Sequence, residues 1–106
     1  LPEITFQQTE FDFGTIEYGG NGSHDFQFKN TGKEPLIVSN VGTSCGCTVP
    51  DWTKDPVAKN KTGVITATYD TKRIGPFTKT LTVSSNAKNA TVTLTIKGTV
   101  KAPENK

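Results

Sequence analysis

The chain has 106 residues, enough for one domain of common size with one hydrophobic core. Apolar residues make up 32% and charged residues 21%, and the formal charge of +2 is spread over interspersed acids and bases. This composition differs from that of a disordered chain and offers no charge excess to hold nucleic acid or an anionic membrane; no apolar run approaches the ~20 residues that span a bilayer.

The chain starts directly at Leu1-Pro2-Glu3, so it reads as a mature or trimmed product whose export signal is missing. Abundant threonine on the polar strand faces and the absence of methionine fit a place outside the cytoplasm. Two cysteines, Cys45 and Cys47, are too few for a disulfide-stapled scaffold. Asn21-Gly22-Ser23, Asn60-Lys61-Thr62 and Asn89-Ala90-Thr91 match the glycosylation triplet, which matters only in a eukaryotic secretory setting and is common in Asn- and Thr-rich chains.

In chain order, Ile4 and Phe6 form a short opening strand, and Phe11-Asp12-Phe13-Gly14 continues along an edge. Asp25 to Lys29 places Phe26 and Phe28 on one face and Asp25, Gln27 and Lys29 on the other. Pro35-Leu36-Ile37-Val38 begins a strand that runs toward Thr43. Pro50 to Gly63 is the least regular stretch and is expected to cross between sheets, with Trp52 folded back over the core. Val64 to Asp70 alternates Ile65, Ala67 and Tyr69 with Val64, Thr66 and Thr68. Phe77 to Ser84 and Thr91 to Val100 carry the strictest two-residue alternation, and the polar turn Ser85 to Asn89 between them predicts a hairpin. Glycine, asparagine and proline clusters at Gly19-Gly20-Asn21-Gly22, Asn30-Thr31-Gly32 and Ile74-Gly75-Pro76 separate the runs.

About seven short strands with no helical period predict an all-β fold, an immunoglobulin-like sandwich of antiparallel strands. Residues 1–101 form that domain, and residues 102–106 read as a tail.

Ser44-Cys45-Gly46-Cys47-Thr48 is the one local pattern that invites a chemical reading. In an extended strand the two cysteine Cα atoms would lie roughly 6.6 Å apart, near the upper limit for a disulfide, so a bridge requires the bend that Gly46 permits. A bridge over so small a loop adds little chain-entropy stabilisation and is easily reduced, which keeps a redox role open. The plainer alternative is that both cysteines are small buried residues packing a strand end. Zinc would need four ligands, whereas the chain offers two cysteines and the single His24; a two-coordinate Cu(I) site needs only the sulfurs and stays open.

Nothing orients a Cys–His pair, no phosphate-cradling loop precedes a helix, and Asp51, Asp55 and Asp70 sit where turn and capping roles explain them. No catalytic constellation and no cofactor are therefore expected. Trp52 is a candidate partner anchor if exposed and core cover if not. The Thr/Lys face of Thr91 to Lys97 reads as a solvated sheet face, beside which an unpaired edge could accept a partner strand.

The runs Phe11-Asp12-Phe13-Gly14-Thr15-Ile16, Phe26-Gln27-Phe28-Lys29-Asn30-Thr31-Gly32, Pro35-Leu36-Ile37-Val38, Ser44-Cys45-Gly46-Cys47-Thr48 and Val83-Ser84-Ser85-Asn86 occur in an order and spacing that resemble one family. It is a bacterial domain of unknown function with a Hydin-like immunoglobulin fold, frequent in exported proteins and lipoproteins of Bacteroidetes. The resemblance covers nearly the whole chain, and the Ser-Cys-Gly-Cys-Thr segment is its most specific element. The chain departs from the family where Lys59-Asn60 stands in place of Pro-Gly, but Asn60 tolerates the left-handed turn required there.

The resemblance implies an architecture and a compartment outside the inner membrane, periplasm or cell surface, and leaves open a lipid anchor through a missing N-terminus. It implies no activity. The expected function is a non-enzymatic binding or structural module whose partner is another protein or an envelope component. The alternative is a thiol redox or Cu(I)-binding domain built on Cys45 and Cys47.

Overall fold

In the computed structural model, which describes residues 1–104, all regular structure is β. The strands are β1 (Ile4–Phe6), β2 (Glu10–Glu17), β3 (Ser23–Asn30), β4 (Val38–Thr43), β5 (Thr48–Trp52), β6 (Thr62–Tyr69), β7 (Gly75–Ser85) and β8 (Thr91–Lys101). They form two four-stranded sheets, ordered β1-β3-β6-β5 and β2-β8-β7-β4.

Alternation in the sequence becomes the two faces of each sheet. Across the β7–β8 hairpin Leu81 stands opposite Leu94, while Thr80 faces Thr95 and Thr82 faces Thr93 on the outer surface. In the other sheet Phe26 stands opposite Ile65 and His24 opposite Ala67. Phe26, Phe28, Ile65, Leu81, Leu94 and Ile96 are fully enclosed between the sheets. Each such side chain contributes roughly 1.5–3 kcal/mol by leaving water. The ring of Phe28 lies so close over Gly63 that a Cβ there would come within 2.5 Å of Phe28 Cζ, which explains a glycine in mid-sheet.

Three expectations need correction. The described residues hold eight strands, not seven, and the uncounted one is β5. A proline inside a short run argues against a strand, yet Pro50 is accommodated because β5 is an edge. Not every pair is antiparallel: β2 runs parallel to β8, with Glu10 opposite Thr95 and Ile16 opposite Val100. The pairing is irregular between Asp12 and Thr15, where Gly14 adopts φ +66° and donates its N–H to Asp12 Oδ1 at 2.8 Å. Ion pairs Lys97–Glu10 (2.9 Å) and Lys101–Glu17 (3.0 Å) link the same two strands.

The third correction concerns the crossing between sheets. β4 and β5 belong to different sheets, so the chain changes sheet at Ser44–Cys47 rather than in Pro50 to Gly63. The latter stretch joins β5 to β6 within one sheet and is anchored by the bridge between Leu36 and Val57. Asn60 there has φ +65°, the left-handed conformation for which asparagine is suited.

Asparagine amides clamp the loops. Asn30 is fully buried; its Nδ2 donates to the carbonyls of Glu34 (2.7 Å) and Val57 (2.9 Å). Its Oδ1 accepts from the N–H groups of Gly32 (3.0 Å) and Glu3 (3.3 Å). Asn86 holds the backbone of Pro35 and Ile37, and Asn89 bonds both backbone groups of Ile4. β8 ends at Lys101, and residues 102–104 carry no regular structure; residues 105 and 106 of the expected tail lie outside the described residues.

Candidate functional site

Four strands end the two sheets, and they differ in how their outer backbone is protected. β1 is only three residues long. β2 is interrupted at Gly14 and carries Glu10, Asp12 and Glu17. Short, charged or bulged strands are the usual means of keeping an edge from pairing with another chain.

β5 is protected donor by donor. Thr53 N–H donates to Val64 O, and the register places Trp52 opposite Ile65. By antiparallel alternation the N–H groups of Val49 and Asp51 also face β6, leaving Thr48, Pro50 and Trp52 turned outward. Thr48 N–H donates to Cys45 O at 3.4 Å, Pro50 has no N–H, and Trp52 N–H donates to Asp51 Oδ1 at 2.9 Å. Lys54 Nζ donates to Trp52 O (3.1 Å) and to Asp51 Oδ1 (3.0 Å), and lies 3.7 Å from the Trp52 ring centroid. These bonds from Lys54 and Trp52 N–H hold the Asp51 carboxyl below its usual pKa. Every outward N–H of β5 is thus absent or engaged.

β4 is irregular between Val38 and Asn40 but carries none of the other devices. Its sequence, Val-Ser-Asn-Val-Gly-Thr, has neither charge nor proline. Ser44 N–H donates to Thr80 O at 3.0 Å, and Thr43 stands opposite Leu81. The same alternation turns the N–H groups of Val41 and Thr43 away from β7. A Cβ placed on Gly42 would meet no atom within 4 Å, so the sheet face at that position has room for a side chain. The unpaired edge foreseen beside Thr91 to Lys97 is therefore not on β8, which is paired on both sides, but at β4 on the far side of the same sheet.

β4 leads directly into the cysteines. Cys45 and Cys47 form a disulfide with Cα atoms 5.3 Å apart, shorter than an extended chain allows because the backbone bends at Gly46. The loop is tethered to both sheets. Ser44 exchanges bonds with Thr80, donating its N–H to Thr80 O and accepting from Thr80 N–H at Oγ (3.0 Å each), and Asp70 N–H donates to Cys47 O at 2.8 Å. Cys47 is 6% exposed and Cys45 more so, and Cys47 N–H donates to Cys45 Sγ at 3.3 Å.

His24 points between the sheets, not toward the cysteines. Its ring stacks on Phe11 (3.7 Å between centroids, 7° between planes) and meets Phe26 edge-on, while Nε2 donates to Gln8 Oε1 at 3.0 Å. Burial pushes its pKa below the ordinary imidazole value, and the Asp25 carboxylate opposes this in part. Among the described residues no three His, Cys, Asp or Glu side chains gather as a metal site, so His24 does not join Cys45 and Cys47 in one. Trp52 lies in β5, half-buried against the core beneath Lys54. The residues that sequence reasoning missed are Asp51 and Lys54 as edge guards and Val41 and Thr43 as donors turned away from β7. Their signal was the contrast between Pro-Asp-Trp-Thr-Lys in one edge strand and an uncharged run in the other.

A family model described as "Protein of unknown function (DUF1573)" matches residues 4–100. No curated protein matches the sequence. Among solved structures the chain is similar to a protein of unknown function from Porphyromonas gingivalis W83, with TM-score 0.82 and 12% identity over 92% of this chain; it spans 46% of that protein's length. It is also similar to a human ASH/PapD-like domain of CEP192 (TM-score 0.79, 10% identity, 96% of this chain and 87% of that one). A third similar structure is the YadV chaperone (TM-score 0.61, 13% identity, 98% and 54%). At these identities the likeness concerns the fold, an immunoglobulin-like, PapD-like sandwich.

Proposed function

The chain belongs to the DUF1573 family of proteins of unknown function, and from that premise we propose that it is a non-enzymatic binding module of the bacterial envelope that takes an extended segment of a partner protein along β4. The outer edge of β4, which pairs with no strand and carries neither charge nor proline, carries this reading. An incoming strand would accept from the Val41 and Thr43 N–H groups and donate to the carbonyls of the same residues, extending the sheet β2-β8-β7-β4 by one strand.

Backbone bonds would supply affinity, and the side chains on alternate faces of the added strand would supply selectivity. The guarded β5 supports the reading, because its outward donors are absent or engaged while the neighbouring edge β4 carries neither charge nor proline. A disulfide between Cys45 and Cys47 fits an oxidising compartment such as the periplasm or cell surface. The likeness to a chaperone and to a PapD-like domain agrees with a role in protein contact.

The test is capture of envelope proteins on the immobilised domain. Gly42→Lys adds a charge in open space on β4, and Thr43→Pro removes one outward N–H without touching the β4–β7 ladder. Both variants should lose the captured protein, whereas Val49→Lys, on the guarded strand, should retain it. Equal capture by all four proteins would exclude β4 as the binding edge.

A further inference from the structure

We propose that the Cys45–Cys47 disulfide is a thiol–disulfide exchange site, attacked at Cys45 by a small thiol or by the dithiol of a thioredoxin-type reductant. This property does not depend on the β4 edge serving as a docking strand.

Three features single out the site. The two sulfurs are unequally accessible: Cys45 is partly exposed, whereas Cys47 is buried in the core cluster. Gly46 between them is exposed, and a Cβ built on it would meet no atom within 4 Å beyond its chain neighbours, so no other part of the fold packs over the loop at that point. The ends of the loop are also fixed without help from the disulfide, by Ser44 on Thr80 and by Cys47 O on Asp70 N–H. Opening the bond therefore leaves the two sulfurs held near each other, so closure remains an intramolecular step at high effective concentration.

The disulfide closes a loop whose cysteines are two positions apart, which constrains the unfolded chain far less than a long-range bridge does. The hydrogen bonds around it already perform the structural work. One buried side-chain polar atom among the described residues lacks a partner, the hydroxyl Oγ1 of Thr48, and it sits in the residue next to Cys47. Whereas the buried Asn30 side chain has four partners, a hydroxyl with spare hydrogen-bonding capacity beside a sulfur is suited to a site that changes state.

An incoming thiolate attacks Cys45 Sγ along the exposed side, the Sγ–Sγ bond breaks, and its electron pair leaves on Cys47 Sγ, which takes a proton from solvent. The product is a mixed disulfide at Cys45. A second thiol attacks the reductant's sulfur in that bond and expels Cys45 as a thiolate, which the Cys47 N–H is positioned to stabilise. In sum, two electrons and two protons pass from the reductant, which becomes a disulfide, to Cys45 and Cys47, which become thiols. The reverse sequence makes Cys45 the attacking nucleophile toward a substrate disulfide.

The experiment uses glutathione as the probe on the folded wild-type chain, with alkylation quenching and mass-spectrometric mapping. Glutathione should appear on Cys45, and circular dichroism should show the sandwich intact in the reduced protein. In parallel, a nitrobenzoate disulfide reagent should react with Cys45 in Cys47→Ser at least about tenfold faster than with Cys47 in Cys45→Ser, a difference that denaturant should erase. Should either variant fail to fold, the wild-type mapping decides alone. An adduct on Cys47, equal reaction rates in the folded variants, or a disulfide reduced only once the chain unfolds would overturn the proposal.

Discussion

Asn30 shows how much one side chain can settle. Its amide serves four backbone groups from three segments of the chain, the bond to Val57 fully buried and the other three partly so. Asn30→Ala leaves those carbonyls and N–H groups with no partner and should cost about 2–4 kcal/mol, since each lost bond leaves a desolvated group behind. Urea unfolding at equilibrium measures this; a loss below about 0.5 kcal/mol, the range of ordinary surface changes, would contradict the clamp. His24 makes a second prediction. Because burial lowers its folded pKa, the unfolded chain takes up the proton first as pH falls. Its contribution to stability should be complete above about 6.5 and decline below that value until the lowered folded pKa is reached. His24→Phe should flatten that part of a melting-temperature profile against pH, and an imidazole resonance titrating at or above 6.5 would contradict the assignment. At this scale the sequence was partly legible. The left-handed Asn60 could be anticipated from residue type alone, but nothing local marks Asn30 as buried, because its partners come from Glu3 and Val57, each 27 residues away.

At the scale of the element, the β7–β8 hairpin was readable because partners are close in sequence and alternate strictly. The parallel partner of β2 was not, since Phe11 lies beside Ile96 and the intervening chain leaves no trace in local periodicity. β5 was missed for a related reason. Its proline reads as a breaker, and only its position at a sheet edge makes Pro50 acceptable. The guard on this strand leads to a prediction of its own. Replacing Pro50 with Val, Asp51 with Ala and Lys54 with Ala restores outward donors at residues 50 and 52 and removes the lysine from Trp52 O. The triple variant should self-associate at concentrations where the parent is unchanged, as read by sedimentation velocity. Identical sedimentation of the two would mean that these residues do not guard the edge.

For the whole molecule, the long axis of 57 Å against a cross-section of about 20 Å follows from two sheets whose strands run lengthwise. One flank of this sandwich holds β4 and β5, joined by the disulfide loop that carries the chain from sheet to sheet. The fold itself was legible because inward apolar positions recur in every long strand. The candidate site was legible only as a suspicion about Cys45 and Cys47, because an open edge is a property of pairing and not of composition. The central claim is that β4 is the binding edge, and amide exchange resolved by residue tests it most directly. In the free protein the N–H groups of Val41 and Thr43 should exchange quickly and that of Gly42 slowly; on adding the captured envelope partner, Val41 and Thr43 should become protected. Protection that falls on other strands and leaves Val41 and Thr43 exchanging as before would contradict the account.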